Sequence, residues 1–164
     1  MPSAFTVKIK VPPYIRKYLI AKSENYEEPL VFCNKHAFTM LLSHEVSNYQ
    51  TLSCISPEEE ENIHNYFSSR WSTFEFVEIK LPFHIRKDPR SYNYLSVKGR
   101  ANFLAEVKSH FYLELTSYLI KRLRKNVQRK IALEEFLALH SINEEDVKYE
   151  TMYRQTTRIL EPYL

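Results

Sequence analysis

The chain contains one glycine, Gly99, among its 164 residues. Glycine adopts positive φ angles most readily and lets the backbone approach a phosphate closely. Dinucleotide-binding fingerprints and phosphate-binding loops need several glycines at fixed spacing, so both motifs are excluded. Sandwiches and barrels with many tight turns are also disfavoured, although asparagine replaces glycine at some turns. The common nucleotide-dependent enzymes are therefore not expected.

The composition is that of an ordinary globular domain. Apolar residues make up 44% of the chain, and twelve Tyr and ten Phe argue against disorder. No apolar run reaches the ~18 residues that a membrane span needs, and the first residues do not resemble a signal peptide. Cys33 and Cys54 provide neither a disulfide framework nor a metal cage. We expect a cytoplasmic protein that does not contact a membrane.

Positive charge is concentrated in the middle of the chain. Residues 75–130 hold thirteen Lys or Arg against five Asp or Glu, which gives +8, whereas the whole chain carries only +3. Residues 131–164 are acidic, with three Lys or Arg against seven Asp or Glu. This layout favours a localised anion-binding face. The alternative is a solvated surface over which the acidic flanks fold back.

An internal repeat organises the first hundred residues. Residues 7–17 match residues 77–87 at seven of eleven positions. In each copy apolar residues alternate with charged ones and a proline follows, a pattern typical of a half-buried strand that leads into a helix start. We expect the two strands to pair with each other.

Further along, apolar residues recur at spacings of three and four and predict a long helix from Ser96 or Val97 to the region of Val127. Its last turns carry a basic stripe that suits a phosphate backbone, although cations are also favoured at any helix carboxyl end. Two shorter helices are predicted after it. The stripe consists of Lys121, Arg122, Arg124, Lys125 and Arg129.

The strand, proline and helix order resembles the ribbon-helix-helix family of DNA-binding regulators, here with both strands in one chain. The resemblance implies that outward strand residues enter the major groove and that helix starts near Asn34 and Ser96 bind phosphate. The groove positions implied are Thr6, Lys8, Lys10, Phe76, Glu78 and Lys80. In addition, residues 150–160 are similar to the recognition helix of helix-turn-helix proteins, where a Thr-apolar-Tyr-Arg run is common.

The sequence shows no recognisable catalytic or metal-binding constellation. Six histidines are scattered without ligand spacing, and Cys33 with His36 is the nearest approach to a metal pair. No Ser or Cys nucleophile lies in a recognisable elbow motif. We therefore expect no enzyme activity, no metal and no small-molecule cofactor.

Together these features predict a mostly helical α+β protein, in which two paired strands from the internal repeat pack with helices and a C-terminal helical unit follows. A duplicated strand-helix domain is expected over 1–128, with repeats near 5–48 and 75–128. A helical hairpin, helix-turn-helix-like, is expected over 129–164.

The predicted function is non-catalytic binding of double-stranded DNA, as a regulator or accessory protein of a mobile or phage-like element. The alternative is a protein-interaction module whose basic helix docks an acidic partner; a homodimer is left open. Phosphate contacts are assigned to Lys121, Arg122, Lys125 and Arg129. Groove contacts are assigned either to Lys8, Lys10 and Lys80 or to Arg154 and Arg158.

Overall fold

The protein folds as a mostly helical α+β structure, as predicted. The computed structural model describes residues 5–47, 74–83 and 86–163. Its helices are α1 (Pro13–Lys22), α2 (Ala37–Glu45), α3 (Val97–Leu123), α4 (Arg129–Leu139) and α5 (Tyr149–Leu160), followed by a 3-10 turn (Glu161–Tyr163). Its strands are β1 (Thr6–Val11), β2 (Val46–Ser47), β3 (Glu75–Lys80) and β4 (Tyr94–Leu95).

The two repeated strands pair antiparallel, which confirms the expected pairing. Strand β1 lies beside β3 with Val7 opposite Ile79 and Ile9 opposite Val77. These four side chains are buried, because the period of two places all of them on the same face of the sheet. We call β1 and β3 together the ribbon. A second pair, β2 with β4, lies near the start of α3.

The two copies of the repeat differ after their strands. In the first copy α1 begins directly at Pro13. In the second copy the described residues 81–83 and 86–90 are not helical, so the predicted helix start is wrong for them. Asp88 forms a turn there, since its side chain accepts from the Arg90 N–H and its carbonyl from the N–H of Tyr92. Pro89, which follows it, disfavours a helical conformation at Asp88.

Helix α3 is the central element of the fold. It begins at Val97, and the Ser96 hydroxyl accepts from the Gly99 N–H, which confirms the predicted start. Gly99 is used for close packing and not for a turn: an added Cβ would lie 3.1 Å from the Leu95 side chain. Positive φ angles occur instead at Tyr26, Asn126 and Ser141.

An aromatic cluster joins α1, α3 and α4. The Phe111 ring of α3 meets Tyr14 and Tyr18 of α1 edge-to-face, with centroids 5.3 and 5.2 Å apart, and Phe136 of α4 at 5.6 Å. Buried side chains of α4 and α5 belong to the same hydrophobic core as the ribbon. The predicted division into two domains stays a prediction.

Helix α2 is capped by a histidine. His36 Nδ1 accepts from the Phe38 N–H at 3.2 Å, so α2 is capped by His36, two residues after Asn34. Burial lowers the pKa of the His36 imidazole, and the neighbouring His110 and Lys22 act in the same direction. Only the neutral ring has a nitrogen free to accept, so the cap depends on pH.

We expect acid to destabilise the protein partly through His36. Because its folded pKa lies below the unfolded value, the stability from the neutral cap is present above about pH 6.5 and is lost as the pH falls. His36→Asn supplies a cap without titration, and His36→Ala should cost about 1 kcal/mol at neutral pH. Thermal unfolding at pH 7.5 and pH 5 measures this; an equal pH dependence in wild type and His36→Asn contradicts it.

Candidate nucleic-acid interface

Ten residues that run from the last turn of α3 to the start of α4 carry six cations and no acid. We call this segment, residues 121–130, the basic turn. Asn126 has φ 60°, and its N–H donates to the Leu123 carbonyl while the Val127 N–H donates to the Arg122 carbonyl. This is the Schellman arrangement, which ends a helix with a left-handed residue. The basic turn is therefore held by its own backbone hydrogen bonds. Its exposed cations are Lys121, Arg124, Lys125 and Lys130.

Two arginines of the basic turn have partners in the fold. The Arg122 guanidinium donates through two nitrogens to Glu135 of α4, at 2.7 and 2.6 Å. These hydrogen bonds hold the pKa of the Glu135 carboxyl below its usual range. The Arg129 guanidinium lies over the Tyr153 ring of α5, 4.2 Å from its centroid. Arg122 thus fixes α4 to α3, and Arg129 links α4 to α5.

Helix α5 presents two arginines to solvent. Met152, Thr156 and Leu160 are buried at a spacing of four. At about 100° per residue, Arg154 and Arg158 lie about 40° apart and point away from this buried side. Both arginines are exposed. The outer face of α5 therefore carries these two cations.

The basic turn and α5 are in contact. Besides the contact between Arg129 and Tyr153, the Tyr149 hydroxyl donates to the Lys130 carbonyl at 3.4 Å. The rings of Tyr149 and Tyr153 stack with centroids 6.0 Å apart. We call the exposed cations of the basic turn, together with Arg154 and Arg158, the basic corner. None of these six side chains forms an ion pair within the residues that the structure describes.

The ribbon carries the other predicted groove contacts. Lys8, Lys10 and Lys80 lie on its outer face, opposite Glu78, Phe76 and Thr6 respectively. Lys10 Nζ lies over the Phe74 ring at 4.7 Å, and Glu78 accepts from the Thr6 hydroxyl. Contacts with Tyr153 and Tyr149 thus place α5, the helix that carries Arg154 and Arg158, next to the basic turn, whereas Lys10 contacts Phe74 beside its own strand pair.

The helix starts implied by the resemblance have side-chain caps of their own. The start of α2 is occupied by His36. At the start of α3 the Ser96 hydroxyl accepts a hydrogen bond from the Gly99 N–H. The Glu45 carboxylate lies close by and accepts a hydrogen bond from the Asn102 side chain at 3.3 Å. A carboxylate there opposes a second anion.

Two exposed cations of the basic turn, Arg124 and Lys130, are not among the phosphate contacts that the sequence predicts. Arg124 was in the basic stripe but received no role, and Lys130 lies just beyond the stripe. The signal was the length of the acid-free run, which extends from 115 to 133. Within the described residues no group of three His, Cys, Asp or Glu side chains is placed to hold a metal ion. No helix among them is long and apolar enough to span a bilayer.

No protein-family model, curated protein or solved structure matches this chain.

Proposed function

We propose that the protein binds double-stranded DNA, without catalysis, through the basic corner. The observation that carries this proposal is the contact of Arg129 with Tyr153, which places the arginine-bearing helix α5 beside the basic turn. Arginine and lysine contacts to phosphates supply most of the affinity of such proteins and fix their register on the duplex. A positioned helix beside such contacts can then read bases.

The dimensions of α5 suit the major groove. Its twelve residues span about 18 Å, and the major groove admits an α-helix. Arg154 and Arg158 are one turn apart on the exposed side, and arginine reads guanine through two hydrogen bonds to O6 and N7. Thr151 and Thr157, also exposed, flank them with hydroxyl groups.

The phosphate contacts in this proposal are Lys121, Arg124, Lys125 and Lys130. Arg122 keeps its bonds to Glu135 and acts by positioning α4. The resemblance to ribbon-helix-helix and helix-turn-helix regulators extends the proposal to a regulatory or accessory role in a mobile or phage-like element.

The test is fluorescence anisotropy with a random duplex of about 20 base pairs. On a random sequence these two arginines contact phosphates, so Arg154→Ala and Arg158→Ala should each weaken binding about tenfold through the loss of one cation. As the control, Lys98→Ala removes an exposed cation at the other end of α3, roughly 35 Å along the helix from Lys121. This change should leave the affinity for the duplex unchanged. The absence of binding at 50 mM salt contradicts the proposal.

The same protein preparation distinguishes DNA binding from the alternative function, docking of an acidic protein. Absorbance at 260 nm after purification at low salt reports co-purified nucleic acid, which the DNA proposal expects. A clean preparation that associates with an acidic protein through the end of α3, so that Lys121→Gln with Lys125→Gln abolishes the association, would favour the alternative.

A further inference from the structure

The outer face of the ribbon combines lysines with an exposed aromatic ring. Phe76 is 63% exposed although it lies on a strand in regular pairing. Lys10 lies directly opposite it and Lys8 diagonally. Phe74, two residues before Phe76, lies under the Lys10 ammonium. This face therefore offers aromatic surface and positive charge at adjacent positions.

A cleft of about 300 Å³ lies beside the Phe76 ring. It is lined by Lys8, Glu28, Phe76 and Glu78. The Glu28 carboxylate is engaged, because it accepts from Arg16 and from the Glu78 N–H. Glu78 Oε1 accepts from the Thr6 hydroxyl, and Oε2 has no partner among the described residues. The cleft thus has an aromatic wall, one available acceptor and one ammonium group.

We propose that this cleft binds an unpaired nucleotide. The base stacks on Phe76, Glu78 Oε2 accepts from an N–H on the base edge, and Lys8 and Lys10 contact the phosphate. Stacking on an aromatic side chain beside lysines is the general way in which proteins hold unpaired bases. The proposal does not depend on duplex binding by the basic corner.

The chemistry of the cleft disfavours other occupants. A duplex hides the faces of its bases, so it offers nothing that can stack on Phe76. A cationic side chain would meet Lys8 and Lys10, and an acidic side chain supplies neither a planar ring for Phe76 nor an N–H donor for Glu78. A nucleotide supplies a planar ring, N–H donors and an anion together. Guanine has two adjacent donors on its pairing edge, so we expect it to bind best.

The experiment uses the full chain and a twelve-nucleotide oligothymidine with one central 6-methylisoxanthopterin, a fluorescent guanine analogue. Stacking on Phe76 should quench the fluorescence. Phe76→Leu, which keeps an apolar side chain but no ring, should weaken binding about tenfold and abolish the quenching. Phe76→Trp should retain both. Since Phe76 is exposed, neither variant should change thermal unfolding.

Further measurements distinguish a free nucleotide from a single strand as the ligand, and the cleft from the basic corner as the site. If guanosine monophosphate displaces the labelled oligonucleotide as well as an unlabelled oligonucleotide does, the ligand is a free nucleotide. If it competes only weakly, the ligand is a nucleotide within a single strand. Glu78→Gln should remove the preference for guanine over adenine at the central position. Arg154→Ala should leave the quenching intact even if duplex binding is lost. Equal affinity and quenching in wild type and Phe76→Leu overturn the proposal.

Discussion

Raising the salt concentration from 50 to 200 mM is expected to weaken duplex binding about a thousandfold. On a duplex of random sequence Arg154 and Arg158 meet phosphates instead of specific bases. All six exposed cations of the basic corner are then available to phosphates, since none has a carboxylate partner within the described part of the chain. Each phosphate neutralised contributes about −0.9 to the slope of log affinity against log salt, which gives about −5.4 for six contacts. Anisotropy titrations at four salt concentrations measure this slope.

A double variant shows whether the basic turn supplies that slope. Lys121→Gln with Lys125→Gln removes two contacts, so the slope should fall to about −3.6 and the loss over the same salt range to about 150-fold. Lys35→Gln with Lys98→Gln removes two exposed cations elsewhere and should leave the slope unchanged. If the two double variants have the same slope, the basic corner is not the site of phosphate contact.

The ribbon could be predicted because its signal is local and repeated. Val7 and Ile9, like Val77 and Ile79, alternate with charged residues, and that alternation requires one buried face in both copies. The backbone N–H and C=O groups of two half-buried strands also need hydrogen-bond partners, and strands of equal length can supply them to each other.

Helix formation after each strand could not be predicted from the repeat. Both copies carry Ile-Arg-Lys, yet Lys17 lies in α1 and contacts Asp146, whereas Lys87 lies outside a helix and donates to the carbonyls of His44 and Val46. These partners are distant in sequence. Tertiary contacts of this kind override local propensity.

The positive charge of the candidate site could be predicted from the sequence, but the packing of the helices that carry it could not. The acid-free run around the basic turn is visible in the sequence, but the bonding of Arg122 to Glu135 depends on where α4 packs. The choice between the ribbon lysines and Arg154 with Arg158 depends on the position of Tyr153 against Arg129. Both facts follow from helix packing, which no single run of residues encodes.

Phe111→Ala is expected to destabilise the fold by about 4 kcal/mol. The Phe111 ring is fully buried and meets Tyr14, Tyr18 and Phe136 edge-to-face. Its removal leaves a cavity between α1, α3 and α4 and also loses the electrostatic part of these ring contacts. The melting temperature should fall by roughly 10 °C in a chain of this size.

Urea unfolding followed by circular dichroism measures this loss. Leu113→Ala, on the same helix but 67% exposed, should change the stability by less than about 0.5 kcal/mol. A loss below about 1 kcal/mol for Phe111→Ala would contradict the role of this ring, because a buried phenylalanine typically costs 3–5 kcal/mol when truncated. Since α4 carries Arg129 and is held to α1 and α3 through these rings, Phe111→Ala should also weaken duplex binding at temperatures where Leu113→Ala does not.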